Sequence, residues 1–165
     1  MSTSQIMPDV ETKAFRAFKD DNAYAALGRA VSYLMTKPNF KDLKFGFWSR
    51  TLVGQINRKH YFFTSDGKNI VGFVGWAFVD EGMAKAWLEG SADFNSVDCV
   101  NGECMVINAW AADTNAVNRF NLREIRHHLV GRKAAYAKRF YKNGRVRPLR
   151  VGITDLVESH IEKQA

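Results

Sequence analysis

Cysteine is scarce in this chain of 165 residues, which carries only Cys99 and Cys104. That excludes a small scaffold built on disulfides. No histidine follows the two at zinc-ligand spacing, so no metal site is expected and the thiols should be reduced. Long apolar runs are missing too: none approaches the roughly 20 residues that span a bilayer. The opening stretch, Met1 to Asp9, lacks the apolar core of a secretory signal. The expectation is a soluble, cytoplasmic protein. Neither a G-x-x-x-x-G-K-[ST] nor a G-x-G-x-x-G phosphate loop occurs, nor a G-x-S-x-G nucleophile elbow. RNP, KH and helix-turn-helix patterns are absent, and so are internal repeats and low-complexity segments.

What is present is ordinary for a globular domain: 46% hydrophobic and 25% charged residues. The length suits one domain over 1–165, with 1–12 and 155–165 as flexible ends. The net charge of +7 favours an acidic partner, whether nucleic acid, anionic lipid or an acidic carrier protein. Much of that charge lies between Arg123 and Arg150, interleaved with Tyr136, Phe140 and Tyr141.

Periodicity predicts a helix from Ala14 to Met35, broken near Asp20-Asp21-Asn22 with Asn22 as an N-cap. A second helix is predicted over 42–58, weakened by Gly46 and Gly54. A strand over 61–64 and one over 70–78 flank the Ser65-Asp66-Gly67-Lys68 turn and form a hairpin. Residues 80–90 read as helical. Asn101-Gly102 reads as a tight turn across which the two cysteines face each other. Cys104 to Ala111 is a nearly unbroken apolar strand, as expected for burial on both faces. A helix over 115–129, a strand over 132–141, a turn at Asn143-Gly144, a basic tail and a short helix over 155–164 complete the chain. This order predicts an α/β fold, with a mixed, mostly antiparallel central sheet flanked by helices.

Candidate functional residues are few. Gly72 and Gly75 lie inside a predicted strand, where glycine marks a bulge or the close approach of another backbone or a ligand. Among four scattered histidines, His60 stands out because it begins a strand beside three aromatics; the others are most simply surface or capping groups.

Several motifs keep a recognisable order along the chain: Leu27-Gly28 through Leu34, His60-Tyr61-Phe62-Phe63, and Val71-Gly72-Phe73-Val74-Gly75-Trp76-Ala77-Phe78. Glu81, Trp87-Leu88, Asn101-Gly102-Glu103, Ala111 and Arg139 follow. Over Ala23 to Val151 the sequence resembles the RTX toxin-activating lysine-acyltransferases, whose fold is like that of the Gcn5-related N-acetyltransferases (GNAT). The resemblance implies transfer of a fatty acyl group from acyl carrier protein to a lysine side chain of a protein or peptide. It implies no permanently bound cofactor, the donor being the acyl-phosphopantetheine of the carrier. The missing pyrophosphate loop favours that carrier over coenzyme A. Implied partners are acyl carrier protein and a lysine-bearing substrate, with homodimers frequent in the family, transient membrane contact allowed and nucleic acid not expected.

The chain departs from the family at three positions. Phe40 stands where the family has His, Asn108 or Ala109 where it has Asp, and Gly75 where it has Ser. Asn108 can orient an amine or a water but cannot act as a base; Asp113 and His60 are the nearest candidates for a relocated one. Phe73, Gly75, Trp76, Trp110 and Arg139 are the expected acyl- and donor-binding residues, with Phe73, Trp76 and Trp110 lining a groove. Two other readings stand beside this one: a non-catalytic relative that binds an acyl chain or carrier, and a basic nucleic-acid-binding domain.

Overall fold

A computed structural model describes residues 14–90 and 99–153. The flexible ends expected at 1–12 and 155–165, and the helix expected over 155–164, lie outside the described residues.

Among the described residues six strands form one sheet in sequence order, β1-β2-β3-β4-β5-β6. They are β1 (Arg16–Phe18), β2 (Tyr61–Ser65), β3 (Ile70–Val79), β4 (Cys104–Ala112), β5 (Ala134–Phe140) and β6 (Val146–Gly152). Every neighbouring pair is antiparallel except β4 and β5, which run parallel. The helices are α1 (Ala23–Leu34), α2 (Phe45–Asn57), α3 (Glu81–Leu88) and α4 (Asn115–Arg126). The architecture is the mixed, mostly antiparallel α/β sheet with flanking helices that the pattern predicts. α4 supplies the crossover that a parallel pair requires.

Local chemistry explains most boundaries. Asn22 caps α1, its side chain accepting from the Ala25 N–H, while Asp80 and Thr114 cap α3 and α4 in the same way. The β2–β3 turn is held by the Asp66 carboxylate, which accepts from the N–H groups of Lys68 and Asn69. Gly67 there has φ +97°, a conformation that favours glycine. Gly144, at φ +82°, turns β5 into β6.

Two elements differ from expectation. The predicted first helix is a three-residue edge strand followed by α1, because Arg16–Phe18 pairs with Phe63–Ser65. The basic tail is the full edge strand β6, paired with β5 along Ala134–Phe140. Among the described residues Asn101-Gly102 does not join two strands of a hairpin. A Cβ on Gly102 would stand 2.1 Å from the Val79 carbonyl carbon, so the glycine lets this segment lie against the β3 backbone. Cys99 and Cys104 are both buried there and are not joined in a disulfide.

Side chains alternate across a strand, and this assigns the faces. Phe73, Ala77 and Val79 of β3 point toward the side carrying α1, α2 and α3. Val74, Trp76 and Phe78 point toward α4, where Ile125 and Leu129 cover them. β3 is buried along most of its length, as a central strand covered on both faces must be.

Candidate active site

The site begins with a defect in the β3–β4 ladder. Gly75 pairs with Ala109, but the next residue, Trp76, pairs with Ile107. Asn108 is therefore the extra residue of a β-bulge, and bulges concentrate where a sheet must aim a side chain. The parallel β4–β5 ladder runs from Cys104–Ala134 to Ile107–Ala137 and ends at the same level. Beyond it, Asn108 to Ala112 of β4 continue without a β5 partner. A bulge, an unpaired strand edge and the mouth between two strands thus coincide at Asn108.

Gln55 of α2 completes this point. It is fully buried, and its Nε2 donates to Asn108 Oδ1. That leaves the Nδ2 donors of Asn108 for another group. The Gln55 Oε1 is buried and finds no donor among the described residues. It lies over Gly75, where a Cβ would stand 2.3 Å away. The space that a serine side chain would enter from position 75 is filled by the Gln55 amide. Sequence reasoning missed Gln55. The available signal was its position on the buried stripe of α2, with Trp48, Leu52 and Ile56.

The other predicted residues are divided between regions. Phe73 packs with Tyr61 and Phe63 in the core on the α1–α2 side. Trp76 and Trp110 lie on the opposite face, Trp110 donating from Nε1 to Asn118 Oδ1 at 2.8 Å. Phe73, Trp76 and Trp110 therefore cannot line one groove, because the sheet separates them. Arg139 is exposed on β5 beyond the end of the parallel ladder, its guanidinium 5.1 Å from the Tyr141 ring.

The two candidate bases stand apart from Asn108. Asp113 follows β4 and accepts from Tyr33 at 2.9 Å and from Lys37 at 2.7 Å. Burial, then this carboxylate, holds the Tyr33 phenol well above its usual range. Asp113 is thus committed to a hydrogen-bonded ion pair. His60 lies across the sheet, its ring stacked 6.0 Å from Trp76 and 4.9 Å from Phe78. Burial first, then the charges of Arg58, Lys19, Arg132 and His128, pull its pKa down to about 4. Phe40, where the family has His, is buried against Trp48 in the α1–α2 core. Ala109, the other position aligned with the family's Asp, pairs with Gly75. Among the described residues no group of three or more His, Cys, Asp or Glu side chains is arranged to hold a metal. Nor is any described helix long and apolar enough to cross a membrane.

The family comparison agrees with the motif reading. The sequence matches the RTX toxin acyltransferase family over residues 19–151. That is most of the chain, and the protein belongs to this acyltransferase family. Among solved structures it is similar to the loading GNATL domain of CurA from Lyngbya majuscula, at 10% identity and a TM-score of 0.49, over 79% of this chain and 67% of that one. No curated protein matches it.

Proposed function

We propose that this acyltransferase moves a fatty acyl group from acyl carrier protein to a lysine ε-amine of a protein or peptide, with the chemistry at the Asn108 bulge. The carrying observation is the coincidence of that bulge with the end of the β4–β5 ladder. A mouth between diverging strands suits the extended acyl-phosphopantetheine arm. It sits beside backbone groups on the β5-facing edge of β4 that no described strand pairs with beyond Ile107, and these can pair with an extended ligand.

In this reading the neutral amine attacks the thioester carbonyl. The C–N bond forms, the C–S bond breaks, and the thiol leaves on the carrier. The carbonyl oxygen carries the developing negative charge, and the free Nδ2 donors of Asn108 are suited to stabilise it. Gln55 acts as a positioning residue: its Nε2 fixes the Asn108 amide so that the donors, not the oxygen, remain available. The proton released by the amine passes through water, since His60 and Asp113 both lie away from Asn108. The orphan Gln55 Oε1 supports a site kept for function, because such an acceptor costs about 1–3 kcal/mol in a core.

A second reading has one observation in its favour. Phe40 and Asn108 or Ala109 replace both ionisable groups of the family, which suits a relative that binds an acyl chain or carrier without turnover. Intact-mass spectrometry separates the two. The chain is co-expressed with the lysine-bearing protein encoded beside it, in cells supplying acyl carrier protein. The expected result is a fatty-acyl mass gain on a lysine, lowered about 100-fold in rate by Asn108→Ala. No gain with the unaltered chain would move the binding reading to first place.

A further inference from the structure

The face opposite Asn108 carries a cluster that acyl transfer does not use. Lys19, which follows β1, places its Nζ 5.8 Å from the centre of the Trp76 ring. Arg132, after α4, places its guanidinium 3.7 Å from the Phe78 ring. Arg58, at the end of α2, donates from Nε to His60 Nδ1 at 3.4 Å. The His60 ring stacks on Trp76, and His128 packs against the same indole with centroids 4.5 Å apart. Three fixed cations and two imidazoles thus converge around one pair of aromatic rings.

These cationic heads are held in place. Lys19 Nζ donates to the Lys59 carbonyl at 2.8 Å, and Arg132 NH1 to the Gly102 carbonyl at 2.7 Å. Arg58 has room for its guanidinium because position 54 is glycine; a Cβ there would stand 2.8 Å from Arg58 NH1. Their anchors are neutral, however. Elsewhere five of the described cations meet carboxylates: Arg29 with Asp20, Lys37 with Asp113, and Lys85, Lys133 and Arg150 with Glu81. No ion pair among the described residues involves Lys19, Arg58 or Arg132. At the centre, the buried indole N–H of Trp76 finds no acceptor among the described residues. Unrelieved like charges are unfavourable at close quarters, and an orphan donor adds to that cost.

We infer that Lys19, Arg58, Arg132, His60 and His128 form a binding site for a phosphate group, as on a small phosphate monoester. A compact oxyanion fits better than a planar ligand, because the rings already pack on one another and leave no slot between them. Phosphate accepts from several donors at once, and the arginines, lysine and imidazoles offer only donors when charged.

The test uses the full chain labelled with 15N-histidine, with inorganic phosphate added at constant ionic strength. His60→Asn and His128→Asn assign the two signals. Both imidazoles have pKa values lowered to about 4. Bound phosphate favours their charged forms, so saturation should raise both values by a unit or more. Lys19→Gln and Arg132→Gln should each weaken phosphate binding about tenfold. Lys19 is exposed, so its variant tests the site even if loss of Arg132 disturbs the fold. No rise in either pKa at tens of millimolar phosphate would overturn the proposal, as would an equal rise in both charge variants, the mark of general screening.

Discussion

Gly75 and Trp76 are neighbours in β3, yet they face two chemically opposite surfaces. On the α2 side lies a neutral amide pair, Gln55 and Asn108, within an apolar core. On the α4 side lie two imidazoles and three cations around an indole. One strand thus separates a region suited to orienting a carbonyl from one suited to holding an anion. The difference teaches that the strongly perturbed histidines need not mark the reacting centre. Perturbation follows burial and neighbouring charge, and here both lie on the face away from the bulge.

The largest expected effect breaks the comparison at its centre. Trp76→Ala empties the middle of the α4-side core and should cost about 3–5 kcal/mol of stability, read from urea unfolding. A loss under 1 kcal/mol would mean that the indole is not the support on which both histidines rest.

A smaller effect sharpens the other side. Gly75→Ser restores the family's residue but drives a Cβ to 2.3 Å from Gln55 Oε1. The cost should be about 1–3 kcal/mol, toward the lower end because a flexible side chain can yield. In a Gln55→Ala background the same substitution should be close to neutral. An equal cost in both backgrounds would show that Gln55 does not occupy the space above position 75.

A third effect concerns pH. Folding lowers the pKa of His60 and His128 from 6.5 to about 4, so the unfolded chain binds more protons between those values. Stability should therefore fall as pH drops from about 6.5 toward 4. His60→Asn and His128→Asn should each flatten that slope, followed as urea midpoints at pH 7, 5.5 and 4.5. Glu81 acts mainly at lower pH: Lys133 above all holds its carboxyl at about 2, so its contribution is lost below 4.5. A slope unchanged in both histidine variants would remove the α4-side cluster as its source.

The central sheet was legible because its signals are local. Asn22 reads as a cap, Asp66-Gly67 as a turn, and Cys104 to Ala111 as a doubly buried strand. β1 was not legible: Phe15 and Phe18 fit helical spacing, and only pairing with distant β2 makes Arg16–Phe18 a strand. β6 was hidden for a different reason. It is exposed on both faces for most of its length, so no alternation of burial marks it, and Arg145, Arg147 and Arg150 read as a tail. Within the site, Asn108 and Gly75 were picked out from the family motif. Their alignment through a bulge, and the part played by Gln55, depend on register and tertiary packing. A buried glutamine has the same letter as a solvated one, and the grouping of Phe73 with Trp76 and Trp110 failed on the same missing information.

The one parallel seam also shapes how this molecule assembles. The β2–β3 and β5–β6 hairpins each close over a short stretch of chain, whereas β4 and β5 meet only after the α4 crossover has folded back. Four residue pairs join them, fewer than the five of β2–β3 or the seven of β5–β6. Closing a long loop for so short a reward is slow. The mouth at Asn108 thus lies at a joint made later than either hairpin, where prising the strands apart sacrifices fewer bonds than opening a hairpin would. A substrate-sized opening there asks for separation at a seam, with both hairpins left whole.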